Sequence, residues 1–388
     1  MPETTARPQV FSKALFWILA VLPFVLSILK YSRWETYGTF DFYAFHMAGI
    51  LANEGQAMLA YDWDRFVALF GEQYGSTGSL PWFYPPILLP YAQALALFQV
   101  STAYLVFCFS SLASYYLTVY FLFRSQFKEI IILSAFPLII PIAFGHPTIL
   151  FLVALLLAYR LSRHAPVLAL IALTLIATKP HVGGIILFLY FLKTAPRSIL
   201  PSLAIAVVAI ISTSLFYGSD IWFAFLAHLK EASQSVLSSQ IENPFRASVY
   251  VALAPYDMPA FIRWLLHLTT LVAICGLGAY AFKDEKTDRF WVVAGIAAFF
   301  TSPYIVLYDY TLLLFPLILV LKNSDIQTSR PWVLAVLFIE FIPMALIEIP
   351  PAYKFNFSAI MLFTVAVLMV KIKSRSPNAW LMNKRADP

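Results

Sequence analysis

Apolar runs of 14 to 22 residues, separated by short polar or proline-rich breaks, recur along the whole chain. Runs of this length suit helices that cross a bilayer, where roughly 20 apolar residues span the hydrocarbon core; half-buried strands would alternate instead. The first run, within 11–30, is too long for a signal-peptide core. Lys30, Tyr31 and Arg33 follow it rather than a small-residue cleavage site, so it reads as a retained span. Later runs pair. Two within 129–160 meet at Gly145 to Thr148, and two within 165–193 meet at Thr178 to His181. The run 197–217 leaves and 261–282 returns, while 290–303 and 306–322 meet at Ser302 to Tyr304. The last pair, 331–348 and 355–371, meets between Glu348 and Asn356. Several runs are shorter than about 17 residues, which predicts short, tilted or partly re-entrant spans.

Basic residues set the register. The breaks on one side carry Arg124/Lys128, Arg160/Arg163, Lys193/Arg197, Lys283/Lys286/Arg289 and Lys322/Arg330, and the tail carries five more. With Arg7 and Lys13 these are 18 of the 26 Lys and Arg; placed on the cytoplasmic side, they require the spans between them to come in pairs. The stretch Tyr84 to Phe98 would break that pairing if it crossed. With prolines at 85, 86 and 90 it reads as an interfacial helix, with Pro85 or Pro86 near its first turn. The expectation is an all-α integral membrane bundle of about twelve spans with both ends cytoplasmic. Its parts are a first span over 11–30, an outer loop with interfacial helices over 31–101, and spans 2–7 over 102–217. A second long outer loop covers 218–260, spans 8–12 cover 261–371, and 372–388 is a tail.

Composition agrees. The chain is 61% hydrophobic and 12% charged, against about 25% charged in ordinary globular domains. Its 35 Phe, 21 Tyr and 9 Trp often flank apolar runs, as interface anchors do. The net charge of +6 lies in short loops, so it is a topology signal and not a nucleic-acid footprint. Cys108 and Cys275 sit inside apolar runs and read as packing residues. The outer face, so defined, holds 12 of the 20 acids. Ionisable residues held at a membrane surface tend to mark function.

Every polar break singled out falls on that outer side. Asp41, in Thr39 to Gly55, is a helix N-cap with Gly55 as the stop, or a general base for an acceptor hydroxyl, its pKa raised beside apolar aromatics; the two roles are compatible. His46 lies about 140° around a helix from Asp41, so no Asp–His dyad is expected. Lys179 and His181 flank Pro180. Lys179 either snorkels to the headgroups or, with His181, holds a phosphate. Arg246, the only Arg between 218 and 260, suits a phosphate or a lipid headgroup. Asp309, in an apolar segment, needs a wet cavity or a cation; Tyr304, Tyr308 and Tyr310 around it could orient it or stack on a sugar. Glu340 is a second acid within a span and has no assigned role. There is no glycine-rich phosphate loop, zinc-type Cys/His spacing, HExxH or run of acids suited to a metal cage, so no metal is expected.

These segments, "DFYAFHMAGILANEG" with "AYDWDRF", "FYPPILLPYAQAL", "GHPTILFLVALLLAYRL", "LIATKPHVGGIILFLYFLK" and "SPYIVLYDYTLLLFPL", stand in an order that resembles glycosyltransferase family 87 of the GT-C glycosyltransferases. That family is typified by polyprenol-phosphate-mannose-dependent alpha-(1,2)-mannosyltransferases. The resemblance implies a polyprenyl-phosphate sugar as co-substrate, with no other cofactor, and a glycolipid or polysaccharide acceptor, among membrane lipids and without nucleic acid. It implies inverting transfer on the outer face of the plasma membrane, with Asp41 as base and Lys179, His181 and Arg246 toward the leaving phosphate. Tyr84, His146, Tyr304, Tyr308 and Asp309 then fall toward sugar or acceptor. Two positions depart: Gly145-His146 stands where members often have Gly-Gln, and Tyr308 and Tyr310 where some have His, which leaves the donor sugar open. Two other classes remain from the residues alone, a transporter or flippase for a lipid-linked sugar and a non-catalytic assembly protein of an envelope polysaccharide.

Overall fold

In a computed structural model of the chain, proline and glycine set the helix ends inside the apolar runs. The structure describes residues 13–32, 40–75, 82–194, 197–238, 246–253, 256–281, 283, 286–302 and 305–322. The expected spans 331–348 and 355–371, Glu340 and the tail lie outside these residues.

In chain order the helices are α1 (Lys13–Ser32), α2 (Phe40–Asn53), α3 (Trp63–Tyr74), α4 (Leu89–Leu95), α5 (Val100–Leu122), α6 (Phe127–Phe144), α7 (Thr148–Leu161), α8 (Pro166–Ala177), α9 (Ile185–Thr194), α10 (Ile199–Tyr217), α11 (Ile221–Ser238), α12 (Val249–Ala252), α13 (Ala260–Ala281), α14 (Lys286–Thr301) and α15 (Leu314–Lys322). Among the described residues, α1, α5, α6 with its preceding turn, α10 and α13 are long and apolar enough to cross a membrane. Shorter apolar helices, α7, α8 and α9 among them, lie between these. At 14 residues, α7 is about 21 Å long, shorter than the ~30 Å hydrocarbon core. The stretch expected to be interfacial forms a turn at Pro86–Leu88 and the seven-residue α4, too short to span, with Pro86 at the first helical position.

α1 packs against α5 and α6, α7 against α8, and α13 against α14. The main core joins α1, α5 to α9, α14 and α15, and includes the fully buried Trp291 and Phe315. A second, smaller core belongs to the two long connections. It gathers α2, the turn Ala57–Tyr61, α3, Trp82 and α4 with Ile221 and Phe225 of α11. Tyr43, Tyr84 and Tyr91 pack against both cores. α2 and α4 meet at Gly49, where a Cβ would lie 2.1 Å from the Ala92 carbonyl oxygen, so only glycine allows this approach. α10 and α13 turn broad apolar faces outward, with Leu200, Leu215, Phe216, Phe261 and Val272 among the exposed residues. A patch on that scale fits a surface that meets lipid.

Because the helices alternate in direction, the connections sort to two ends. At one end Asp288 accepts from Arg163 at 3.2 Å, Lys322 at 2.8 Å and the Tyr159 hydroxyl at 2.7 Å, joining α7, α14 and α15. At the opposite end lie the second core and the polar breaks at Gly145, Lys179 and Asp309.

Candidate active site

Three local turns and one pairing of distant segments deliver the polar side chains to one end. Gly145 closes α6 with φ +68°, a left-handed turn that costs glycine little, and His146 follows with its N–H on the Pro141 carbonyl. Pro180 excludes α-helix from the residue before it, so Lys179 takes φ −108°, ψ 87° and leaves the axis of α8. Its carbonyl then accepts from the N–H groups of Val182 and Gly183, which start a π turn over Pro180–Gly184. The segment 305–306 pairs antiparallel with 246–247, placing Val306 opposite Arg246 and Ile305 opposite Ala247. A 3₁₀ turn over Leu307–Leu313 then carries Tyr308 and Asp309 inward, and Thr311 fastens it by donating to the Pro137 carbonyl at 2.7 Å.

These breaks converge. The buried Lys179 and Asp309 form an ion pair across 130 residues of sequence, and Asp309 also accepts from the Val306 N–H at 3.3 Å. The Lys179 ammonium stands 4.6 Å from the centre of the Tyr308 ring, a cation–π contact. Tyr308 stacks on His146 with ring centres 3.7 Å apart and planes 10° from parallel. His146 Nε2 bonds the Tyr84 hydroxyl at 2.7 Å, and its Nδ1 bonds the Thr148 hydroxyl at 2.6 Å. Asp41 stands in the same field. Burial pushes its carboxyl up to about 7 against the pull of the Lys179 charge, with Asp309 adding to the rise and Lys30 opposing it. Burial, and then the carboxylates of Asp41 and Asp309, hold the Tyr84 phenol well above its usual range, so it stays neutral.

Asp41, Tyr84, His146, Lys179, Tyr308 and Asp309 therefore share one site. Several details differ from the sequence reading. Asp41 lies in the first turn of α2 and not ahead of it, so it is not the residue preceding the helix; Gly55, with φ +73°, follows the helix end as expected. Lys179 does not snorkel to the headgroups: it is buried and paired with Asp309. One face of the Tyr308 ring is stacked on His146. His146 is 2% exposed with both ring nitrogens engaged, so it positions Tyr84 and Tyr308 and has no free nitrogen for a sugar. Tyr310 packs on Phe299 in the core, with ring centres 4.9 Å apart. His46 binds the Tyr74 hydroxyl and the Phe98 carbonyl, both at 2.8 Å, in line with the absence of an Asp–His dyad. Tyr304 lies outside the described residues. For His181 and Arg246 the backbone is described and the side chains are not.

Lys30 is the residue the sequence reading passed over. It ends α1 at the site, donates to the Ala143 carbonyl near the close of α6 and faces the Tyr104 ring at 5.9 Å. The available signal was its position: a lysine at the end of a span opposite to the one where most other basic residues collect.

Comparison with known families finds a match to the model of glycosyltransferase family 87 over residues 82–307, more than half of the chain. No curated protein and no solved structure matches. The match includes Tyr84, His146, Lys179 and Arg246; Asp41, Tyr308 and Asp309 fall outside it. With its apolar helices and its buried polar site at the meeting of their ends, this chain belongs to glycosyltransferase family 87 and is a membrane glycosyltransferase.

Proposed function

We propose that the enzyme transfers a sugar, mannose in the first instance, from a polyprenyl-phosphate donor to a hydroxyl of a glycolipid or polysaccharide. On this reading the fold is of the GT-C type, the site lies on the outer face of the plasma membrane and both termini are cytoplasmic. The observation that carries the reading is the Asp41 carboxyl, pushed up to about 7 beside two lysines and a second carboxylate. A base with a pKa near working pH is suited to taking a proton from a hydroxyl.

The acceptor oxygen gives its proton to Asp41 and bonds to the anomeric carbon of the donor. The bond from that carbon to the phosphate oxygen breaks, and its electron pair leaves with polyprenyl phosphate. Attack and departure occur on opposite faces, so the carbon inverts and no covalent enzyme intermediate forms. As Asp41 becomes neutral, the site loses one negative charge while the leaving phosphate gains one. Lys30 and the Lys179–Asp309 pair are then left with one net positive charge facing the phosphate, the kind of preorganised charge that supplies a large share of catalysis. His181 and Arg246 are further candidates for that phosphate. Tyr84, neutral and held by His146, offers its hydroxyl to the sugar or the acceptor. Tyr304 is kept as a further candidate for sugar contact.

The test uses detergent-purified protein, polyprenyl-phosphate mannose and a native membrane extract as acceptor pool. Wild type should release polyprenyl phosphate. Asp41→Asn should retain the donor and lose transfer by about 10²–10⁴-fold, the usual contribution of a general base. Equal release by both proteins would remove Asp41 from the chemistry, and absence of donor binding would remove mannose.

A further inference from the structure

The two long connections meet at a cleft. Its lining comes from the end of the turn Ala57–Tyr61, the start of α3 and the middle of α11: Tyr61, Asp62, Trp63, Asp64, Ala224, Ala227 and His228. The cleft has a volume of about 640 Å³, within the roughly 300–1,000 Å³ of small-molecule sites. Its walls are aromatic. The Trp63 ring centre lies 6.0 Å from that of the buried His228, and Phe83 and Tyr61 flank the same imidazole at 6.2 and 6.1 Å. Ala224 and Ala227 leave room between them. The exposed rim carries Asp62 and Asp64 and no cation among the lining residues.

One strand of chain joins this cleft to the active site. Tyr61 accepts from the Trp82 indole at 3.2 Å and donates to the Tyr84 carbonyl at 3.0 Å, which fixes the segment 82–84. Phe83 then flanks the cleft, and the next residue, Tyr84, reaches His146.

We infer that this cleft binds a neutral saccharide unit of the acceptor, remote from the hydroxyl that reacts. The chemistry fits that class. Aromatic faces cover the C–H face of a pyranose, and carboxylates accept from its hydroxyls. The two carboxylates of the lining, one of which also accepts from the Arg65 N–H at 3.1 Å, disfavour an anionic group such as the donor phosphate or a phosphorylated headgroup. An acceptor that occupies both places carries more than one sugar. The inference rests on the glycosyltransferase reading for its acceptor role, but binding at the cleft is measurable without turnover.

The experiment is ligand-observed NMR and calorimetric titration of the full-length protein in detergent. The probes are neutral mono-, di- and trisaccharides of mannose, glucose and galactose, with a cationic amino-sugar trisaccharide as control. Wild type should bind a neutral di- or trisaccharide better than the monosaccharide. Trp63→Ala should weaken it by about tenfold or more, as loss of an aromatic anchor does. Trp63→Phe should recover part of that loss, and Asp64→Asn, at an exposed position, should weaken binding with the fold intact by circular dichroism. No neutral saccharide binding to wild type, binding insensitive to Trp63→Ala and Asp64→Asn, or binding of the amino-sugar alone would overturn the inference. Failure of the transferase reading is seen separately, as absence of polyprenyl phosphate release in the extract.

Discussion

Asp41 carries a pH signature that transfer should report, and the carboxyl of Asp309 beside it is shifted upward by burial as well. Its ordinary value is 3.8 and burial raises it to about 7. Turnover at limiting acceptor should therefore rise as pH increases through about 7 and level off above it, since only the ionised carboxylate can take the proton. Stability moves the other way. Between about pH 4 and pH 7 the folded state holds a proton that the unfolded state has lost, so stability falls as pH rises across that window. Thermal unfolding of wild type in detergent should show this slope, and Asp41→Asn should reduce it, leaving the part of the same sign that comes from Asp309. The Lys179–Asp309 pair makes a different prediction. Replacing one partner leaves a buried charge alone and should cost about 3–5 kcal/mol, whereas Lys179→Met with Asp309→Leu together should recover most of it. Transfer should stay lost in the double variant, which separates the pair's contribution to folding from its place in the site. Asp309 shows how far sequence reaches at this scale. An acid in an apolar segment announces the need for a cation, but Lys179 is 130 positions away.

At the scale of elements, the breaks were legible because their causes are local. Pro180 constrains Lys179 directly, and Gly145 ends α6 through its own backbone freedom. The prolines after Tyr84 did not settle the matter alone; with the pairing of the basic breaks they pointed to an interfacial helix there. The closeness of α2 to α4 was not legible, because it depends on what faces Gly49. Gly49→Ala would drive a Cβ into the Ala92 carbonyl and should cost about 1–3 kcal/mol, seen as a lower unfolding temperature in detergent. The start of α2 was misread by at least one residue, which moved Asp41 from ahead of the helix into its first turn. Helix ends are where sequence patterns say least, since the same acid serves before or just inside a helix.

For the whole molecule, the alternation of helix directions collects Asp288, Arg163 and Lys322 at one end and the catalytic candidates at the other. If the positive end is cytoplasmic, cysteine labelling in intact cells should distinguish them. With Cys108 and Cys275 replaced, an impermeant maleimide should reach Asp64→Cys before lysis and Arg197→Cys only after it. Labelling in the reverse order would turn the proposed orientation over.

The chain's own pattern determined that this is a helical membrane protein, where most of its apolar helices begin and end, and which residue types stand at the breaks. Hydrophobic run length, proline and glycine act on their neighbours, so one sequence holds that information in full. Only the tertiary structure decided which breaks touch. It paired Lys179 with Asp309, stacked His146 on Tyr308, brought Lys30 into the field of Asp41 and closed the two long connections around a cleft. Each of these is a contact between residues far apart in sequence, made when separate helices pack. Such contacts follow from the shape of the whole core and leave no mark on the residues beside them in the chain.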